Sequence, residues 1–489
     1  MLTHPVVTYN ETIESRRVLS AVQPGYLREL LPAAAPEQGE AWRAIQADVE
    51  NKIMPGITHW QSPNFMAFFP CAASYPAVLA DLYSDALNGA HFNWICSPAV
   101  TELETVMMDW LARALALPES YLSSGRGGGV IQATASDAIV VAMVAARDKH
   151  LREALASQEF ASEEAREDAF ADRRGRLVAL GSAAAHSSTK KAAQVLGLRF
   201  AAVPVRREDG YAMQGAAVAE TVRALRARGL EPFYLTATYG TTDTCAVDDM
   251  AGIAAALAEA GPEAGSVWVH VDAAYAGAAL ICPEYQSDAL QGALDRFHSF
   301  NFNAHKWLLT NFDCSCLWVR DRAWLVEALS IKPPYLRNQF SEAGLVTDYR
   351  DWQIALGRRF RSLKLWFVMR SYGLEGLRAH LRGGIRLAEG LAAKLESRKD
   401  LFEMVAGPAY ALVVFRCVGP PGADEKARNE LTERVYEAIN HEGEIYLTSS
   451  VLDGLYAIRV CTGVPSVREE HVQKAFDIIV AQTEKALAA

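Results

Sequence analysis

Two apolar stretches of this chain carry the side chains best suited to chemistry, an aspartate and a lysine. The apolar run 267–271 ends at Asp272, and Lys306 lies between His305 and Trp307 in SFNFNAHKW. An aspartate in apolar surroundings must be paired or hydrogen-bonded, and a buried lysine becomes an amine that can form an imine. A structurally paired aspartate and an ordinary surface lysine are the plain alternatives.

One cofactor needs both groups. Pyridoxal phosphate requires a lysine for its Schiff base and a carboxylate that keeps its ring nitrogen protonated, so that the ring accepts electrons. The small residue Ala274 leaves room for a flat ring beside Asp272. The sequence therefore predicts a pyridoxal-phosphate site.

A phosphate site is predicted where a helix begins. The glycine-rich loop 125–129 is followed by Thr134, Ala135 and Ser136, and then by a predicted helix over 137–155. Free backbone N–H groups, hydroxyls and the helix dipole at such a start bind phosphate. Simple N-capping explains the same residues equally well.

A histidine and an aromatic cluster offer further functions. His186 follows a predicted strand, where it could stack on the ring and support proton transfer, although a lone histidine is more often structural. Aromatic side chains would ordinarily form core but could line an apolar pocket for an aromatic substrate. The cluster comprises His59, Trp60, Phe65, Phe68, Phe69, Phe92 and Trp94.

Bulk composition excludes several classes of function. The net charge of −10 over 489 residues argues against a nucleic-acid partner, which requires a basic face. The eight cysteines show neither zinc-ligand spacing nor a disulfide framework, so we predict no metal. The N-terminus lacks an apolar signal core, and no apolar run is long enough to span a membrane. We expect a cytoplasmic protein.

Short apolar runs alternate with helical patterns along most of the chain. This alternation predicts an α/β fold with a mostly parallel sheet, whose ligands bind beyond the carboxyl ends of the strands. Predicted strands cover 177–180, 233–237, 267–271 and 316–319, and long predicted helices cover 99–115 and 349–372.

Three regions follow from these patterns. Residues 1–84 form an N-terminal helical segment with little core of its own, which we expect to pack on a partner subunit. Residues 85–375 form the large cofactor-binding domain, including a polar, irregular stretch over 331–347 that is a candidate mobile loop. Residues 376–489 form a small C-terminal α+β domain.

With these residues in place, the chain resembles the aromatic-L-amino-acid decarboxylases, which are group II pyridoxal-phosphate decarboxylases. The likeness runs nearly end to end, through VQPGYLRELLP, PGITHWQSPNF, SPAVTELETVMMDWL, HVDAAYAGAALICPE, FNAHKWLLTNFDCS and DYRDWQIALGRRFRSLKLW. The resemblance implies a type I aminotransferase-like fold and a homodimer whose active sites are shared between subunits.

The resemblance also implies roles for individual residues. Lys306 becomes the Schiff-base lysine, Asp272 the partner of the ring nitrogen and His186 the residue stacked on the ring. Tyr335 matches the loop tyrosine that returns a proton to the substrate α-carbon after carbon dioxide leaves. Further cofactor positions are Ala135, Ser136, Thr242, Ala274 and Asn303, and substrate positions are Trp60, Phe69, Pro70, Cys71, Phe92 (from the other subunit), His186, His305 and Gly357.

Some positions depart from the family pattern or bear on the substrate. Cys71 stands where animal members have a threonine, and Ala304 replaces the usual proline before the His-Lys pair. Gly357 occupies a position where plant members with serine prefer tyrosine-like rings and those with glycine prefer indoles. Tryptophan, phenylalanine, tyrosine and dihydroxyphenylalanine all remain open as substrates.

Decarboxylation to an arylalkylamine is the favoured function. The main alternative is an aromatic aldehyde synthase, which the resemblance ties to loss of the tyrosine or the histidine, whereas this chain keeps Tyr335 and His186. A glutamate-type decarboxylase is disfavoured because the pocket segment is aromatic. A catalytically silent homologue would show a broken set of Lys306, Asp272, His186 and Tyr335, and all four are present.

Overall fold

The computed structural model describes residues 4–259, 267–331, 339–343 and 345–488, which divide between two compact units. The larger unit is Cys71–Gly383, and the smaller unit combines Met1–Pro70 with Gly384–Ala489. The N-terminal segment and the C-terminal region therefore belong to one unit.

A seven-stranded sheet, counted over the described part of the chain, forms the centre of the larger unit. Its order is β1-β7-β6-β5-β4-β2-β3, and β7 runs antiparallel to the other six strands, which are parallel to one another. This mostly parallel sheet confirms the predicted fold. The strands are β1 Gly128–Gln132, β2 Leu177–Ser182, β3 Arg199–Val203, β4 Glu231–Thr238, β5 Trp268–Asp272, β6 Ser299–Asn303 and β7 Ser315–Val319.

Helices connect and cover the strands. Almost every residue is buried in six of the strands, as expected for strands covered on both faces, namely β1, β2, β4, β5, β6 and β7. In chain order the helices are α1 His4–Thr12, α2 Tyr26–Leu30, α3 Trp42–Asp48, α4 Tyr75–Ala86, α5 Pro98–Ala114, α6 Ala135–Ala154, α7 Glu163–Arg174, α8 Ser188–Val195, α9 Gly215–Ala227, α10 Met250–Glu259, α11 Asp288–Leu294, α12 Ala304–Trp307, α13 Ala323–Leu329, α14 Gln339–Glu342, α15 Arg361–Ser397, α16 Glu425–Glu442 and α17 Glu469–Ala488. Among the helices that the structure describes, none is long and apolar enough to cross a membrane.

The smaller unit has its own antiparallel sheet in the order β10-β11-β9-β8. Its strands are β8 Phe402–Ala409, β9 Leu412–Cys417, β10 Thr448–Leu452 and β11 Leu455–Cys461. Apolar side chains of α16 and α17, including Val435 and Ile479, pack with those of β9 and β11 into one core. This arrangement is the predicted small α+β domain.

The glycine-rich stretch was predicted as a loop, and that prediction was wrong for its second half. Gly128–Gln132 forms β1, an edge strand that pairs with β7. A Cβ atom on Gly129 would lie 2.5 Å from Cε of Met108 and 2.7 Å from Cδ1 of Trp318. The glycine is therefore required by close packing within a strand, which local composition does not reveal.

The predicted helix over 349–372 begins later than expected. Tyr349–Trp352 is a short 3-10 helix, and α15 starts only at Arg361. In between, the N–H of Arg358 donates to the carbonyl of Ala90 at 2.6 Å, outside any helix. Tertiary bonds to a distant segment thus replace the helical pattern.

A polar layer lies within the sheet that carries Asp272. His270 is fully buried on β5, with Nδ1 2.8 Å from Oγ of Ser299 and Nε2 3.0 Å from Oδ1 of Asn301. Burial lowers the pKa of His270 from 6.5 to about 4. His270 is therefore neutral at pH 7 and bonded at both ring nitrogens.

We predict that His270 makes the fold sensitive to acid. Below pH 6.5 the imidazole of His270 is protonated in the unfolded chain, whereas in the folded chain it stays neutral until about pH 4. The free energy of unfolding should therefore fall by up to about 1.4 kcal/mol per pH unit between those values. In urea unfolding at pH 7, 6 and 5, His270→Gln should show a shallower fall than wild type. The control is His441→Gln at an exposed position, and equal slopes in all three proteins would contradict the prediction.

Candidate active site

Three polar residues lie at the carboxyl ends of adjacent parallel strands. Asp272 ends β5 and is 4% exposed, with its Oδ1 accepting the N–H of Ala274 at 3.0 Å. Thr238 ends β4 and pairs in register with Asp272. Asn303 ends β6, and its N–H donates to the carbonyl of Ala274 at 3.0 Å. The carboxyl ends of a parallel sheet are where ligands of such folds bind.

The predicted lysine and histidine lie close to this edge. Lys306 is half-buried in α12, immediately after β6. The charges of Asp272 and Lys306 both act on the pKa of His186, so the three side chains share one electrostatic environment. The structure thus assembles the lysine, the aspartate and the histidine that the sequence singled out.

His186 is neutral in this environment. Its Nδ1 accepts the N–H of Ser188 at 3.2 Å and lies 2.9 Å from the Ser188 hydroxyl. Its side chain stays open to solvent in the isolated chain, yet surrounding atoms displace enough water to lower its pKa. Asp272 and Asp243 oppose that shift, and the charge of Lys306 adds to it. The ring proton therefore resides on Nε2 at pH 7.

His305 supports the lysine segment. It is buried, its Nδ1 accepts the N–H of Cys314 at 2.9 Å, and its ring centre lies 4.3 Å from that of Phe312. Burial, followed by the charge of Lys306, lowers its pKa to about 3. Its carbonyl accepts the N–H of Ala72 at 2.9 Å, which holds the Cys71 segment beside the lysine.

Cys71 shares the environment of Lys306. Burial raises the pKa of the Cys71 thiol, and the lysine charge acts in the opposite direction. The thiol is therefore protonated at neutral pH. A half-buried thiol beside the lysine is consistent with the predicted substrate position.

The start of α6 offers backbone donors for an anion. Oγ1 of Thr134 accepts the N–H of Asp137, whose Oδ2 accepts the N–H of Thr134 at 3.0 Å. This capping box leaves the N–H groups of Ala135 and Ser136, within the described structure, without an acceptor. Two free donors at the positive end of a 20-residue helix suit a phosphate group.

The polar atoms at the strand ends fit the same cofactor. Oγ1 of Thr238 and Oδ1 of Asn303 are buried and have no hydrogen-bond partner among the residues described. Such atoms are rare in native proteins and commonly indicate a bound group. Pyridoxal phosphate has polar atoms to satisfy them, a ring nitrogen for Asp272 and an aldehyde for Lys306. The residues present therefore fit the cofactor that the sequence predicted.

Two substrate positions in the larger unit lie on neighbouring segments. The carbonyl of Phe92 accepts the N–H of Arg350 at 3.1 Å, and the carbonyl of Ala90 accepts the N–H of Arg358, next to Gly357. Thr242 lies half-buried in the turn after β4. Their assignments to substrate and cofactor stay predictions.

Other assigned residues belong to the smaller unit or fall outside the described ranges. Trp60, Phe69 and Pro70 belong to the smaller unit, where the Trp60 ring stacks on Phe68 and the Phe69 ring lies 5.4 Å from the Arg459 guanidinium. Their pocket role stays a prediction. Tyr335 falls in 332–338, outside the described residues, so its role also stays a prediction.

Sequence reasoning missed two residues beside Asp272. Thr238 ends an apolar strand just as Asp272 does, and this signal could have identified it. Asp248 accepts the N–H of Thr238 at 2.7 Å and that of Met213 at 2.8 Å, and burial raises its pKa to about 7. Asp248 follows no strand, so only the tertiary structure reveals that it supports Thr238.

The fold and the site define a pyridoxal-phosphate-dependent enzyme, and similarity to known proteins agrees. Residues 24–418 match the family model for the pyridoxal-dependent decarboxylase conserved domain. The chain belongs to this family and is a pyridoxal-phosphate-dependent carboxy-lyase.

Individual relatives match along almost the whole chain. The aromatic-L-amino-acid decarboxylase of Bos taurus is 45% identical over 477 residues, which cover 97% of this chain and 93% of that protein. The phenylacetaldehyde synthase of Arabidopsis thaliana is 43% identical over 479 residues, covering 97% and 92%. The solved structure of Oryza sativa TDC with PLP and tryptamine has a TM-score of 0.92 at 37% identity, covering 99% of this chain and 96% of that one.

We predict that Thr238 is satisfied only when the cofactor is bound. Because an unpartnered buried hydroxyl costs roughly 1–3 kcal/mol, Thr238→Val should raise the unfolding free energy of the apoprotein by about 1 kcal/mol. The same change should weaken cofactor binding by about tenfold, as loss of one good hydrogen bond does. Chemical unfolding of the apoprotein and titration with pyridoxal phosphate measure the two effects.

The control is Thr432→Val, because the buried Thr432 hydroxyl donates to the Arg428 carbonyl at 2.7 Å and accepts the N–H of Cys417 at 3.1 Å. That variant should lose stability and keep its cofactor affinity. An apoprotein that Thr238→Val destabilises as much as Thr432→Val would show that Thr238 has a partner without the cofactor.

Proposed function

We propose that this enzyme decarboxylates aromatic L-amino acids, such as tryptophan, phenylalanine, tyrosine or dihydroxyphenylalanine, to the corresponding arylalkylamines and carbon dioxide. The observation that carries the proposal is the grouping of Lys306, Asp272 and a neutral His186 at the carboxyl edge of the sheet. Whole-length similarity to an aromatic-L-amino-acid decarboxylase supports the substrate class.

Lys306 and Asp272 provide the covalent and electrostatic parts of the site. Lys306 would hold the cofactor through its side-chain amine, and the substrate amine would take the place of that lysine amine. The bound cofactor supplies an electron sink for the pair released when the bond to the substrate carboxylate breaks. Asp272, whose Oδ1 accepts the N–H of Ala274, would pair its negative charge with a protonated ring nitrogen.

Proton return completes the reaction. Because Nδ1 of His186 is engaged by Ser188, Nε2 is the atom that can hold a proton beside the substrate. We assign the delivery of a proton to the α-carbon to Tyr335, on the resemblance alone. The α-carbon thus gains a proton in place of the departing carbon dioxide, and the amine is released.

An aromatic aldehyde synthase is the second candidate. The phenylacetaldehyde synthase of Arabidopsis thaliana is nearly as similar to this chain as the decarboxylase, so overall identity does not separate the two activities. The chain retains both Tyr335 and His186. On this basis simple decarboxylation is preferred.

We also propose a homodimer with shared active sites. The helix α4 exposes apolar side chains along one face, namely Tyr75, Leu79, Leu82 and Tyr83, each more than 40% exposed. A contiguous apolar face of this kind is typical of a subunit interface. In the smaller unit, α2 and α3 contain no buried residue, so these two helices also have surface that a partner subunit could cover.

A cytoplasmic location is proposed from the cysteines. All eight lie in the described residues, none forms a disulfide, and most are buried. Thiols in this state suit a reducing compartment.

The first prediction from this proposal concerns products. Purified enzyme with pyridoxal phosphate, given each of the four amino acids separately, should release amine without stoichiometric aldehyde or hydrogen peroxide. Lys306→Ala should lower the rate by about a thousandfold or more, while Lys191→Ala, at an exposed position on α8, should match wild type. Aldehyde with matching peroxide would instead establish the synthase.

The second prediction concerns assembly. Leu79→Glu combined with Tyr83→Glu places two charges on the apolar face of α4. Burying these unpaired charges costs more free energy than an interface could offset, so the subunits should separate. Size-exclusion chromatography with light scattering should show a dimer for wild type and a monomer for the double variant. Val195→Glu, at an exposed apolar position on α8, is the control. A double variant that stays dimeric would exclude this face from the interface.

A further inference from the structure

A buried ion pair joins α5 to the segment before α15, and neither of its residues is assigned a role in decarboxylation. Nη2 of Arg358 lies 2.6 Å from Oε1 of Glu104, and Nη1 lies 3.0 Å from Oε2, in a bidentate arrangement. The side chains are only 2% and 0% exposed. The guanidinium also lies 4.6 Å from the ring centre of Tyr349. Burying two charges costs desolvation free energy, and this cost is offset only when every hydrogen bond of the two groups is made.

One side of the pair holds the strand that leads to the phosphate-binding turn. Oε1 of Glu104 accepts the N–H of Ile131 at 2.8 Å, and Nη2 of Arg358 donates to the Ile131 carbonyl at 3.1 Å. Ile131 lies in β1, which ends at Gln132, just before the cap of α6 at Thr134. The pair thus fixes the strand from which Ala135 and Ser136 follow.

The other side holds the segments assigned to the substrate ring. Nε of Arg358 donates to Oε1 of Gln353 at 2.9 Å, and the Arg358 N–H donates to the Ala90 carbonyl, two residues before Phe92. Gln353 and Arg358 are both buried, whereas between them Ile354 and Leu356 are 66% and 46% exposed. This short apolar segment, 354–357, therefore has two fixed ends and an uncovered middle.

We propose that Glu104 and Arg358 form a positioning pair that couples two active sites. In each subunit the pair holds the phosphate-binding turn of that subunit's own site. The same pair also holds the segment 354–357 and Phe92, and these two parts reach the ring pocket of the partner subunit. The inference rests on the proposed function and its homodimer. The exposed apolar middle of 354–357 is what a second copy of this chain would cover.

The coupling has a physical cause. The Arg358 guanidinium donates hydrogen bonds to Glu104, Ile131 and Gln353 at once. A replacement side chain with fewer donors would therefore release β1 and the 354–357 segment together. A pair that served only general stability would lower the unfolding temperature and leave both binding functions intact. These two roles predict different measurements.

The test compares Arg358→Lys and Glu104→Gln with Arg416→Lys in the holoenzyme. Arg416 is a matched control, since it is 3% exposed and bonded to Glu403 and Glu425 in the smaller unit. Three quantities are measured: thermal unfolding, the dissociation rate of pyridoxal phosphate, and the ratio of dissociation constants for 3-indolepropionate and 3-phenylpropionate. The two ligands lack the reacting amine, so this ratio reports the ring pocket without turnover.

Both site variants should speed cofactor release and shift the ligand ratio, each by about tenfold, within the range usual for coupling between sites. Arg416→Lys should change only the unfolding temperature. A change in one binding function without the other would overturn the coupling, and equal behaviour of the Arg358 and Arg416 variants would show a purely structural pair.

Heterodimers locate the two effects. In a dimer of Lys306→Ala with Arg358→Lys, the one intact lysine site has an altered phosphate turn and a wild-type ring segment. When both changes are on one chain opposite a wild-type chain, the intact site has a wild-type turn and an altered ring segment. The first dimer should show fast cofactor release with a normal ligand ratio, and the second the reverse. Both effects in the first dimer would place the segment in its own subunit's pocket and overturn the crossing.

Failure of the proposed function gives a different result. A wild-type enzyme that binds both ligands but releases no amine would refute aromatic decarboxylation and leave the coupling measurable. A wild-type enzyme that binds neither aromatic ligand would overturn both.

Discussion

The buried carboxylate of Asp272 is the constraint on which the candidate site depends. A charge that is 4% exposed at the end of an apolar strand must be balanced, and the N–H of Ala274 supplies only part of what it needs. The parallel sheet places Thr238 and Asn303 on either side, with buried oxygen atoms that lack partners in the described structure. The strand ends therefore form a polar edge with the charge and the acceptors that a cationic ring and its substituents require.

The histidines around this edge show how burial sets protonation. His270 and His305 are neutral at pH 7 because burial lowers the pKa of the first to about 4 and of the second to about 3. His186 is shifted in the same direction, although Asp272 and Asp243 oppose the shift. Near Lys306, neutral imidazoles thus provide hydrogen bonds and a proton that can be transferred.

A second buried charge pair joins the segments on which the proposed phosphate and ring positions lie. Glu104 and Arg358 join α5, β1 and the irregular segment before α15 through bonds that no regular secondary structure could make. The same bonds explain why the helical pattern that starts at Tyr349 does not continue through Arg358. The candidate site thus depends on two buried charged groups. Asp272 carries the carboxylate for the cofactor ring, and the Glu104–Arg358 pair holds the surrounding backbone.

The sequence by itself determined the mostly parallel fold, the small C-terminal domain and the placement of Asp272 after a buried strand, because hydrophobic periodicity and charge in apolar surroundings are local signals. It singled out Lys306 by its apolar neighbours but did not predict β6, the strand that precedes the lysine. Only the tertiary structure decided that Gly128–Gln132 is a strand, that Thr238 and Asp248 stand beside Asp272, and that Glu104 meets Arg358. The last two residues are 254 positions apart. Contacts of that kind depend on how distant elements pack, and packing leaves no periodic trace in the chain.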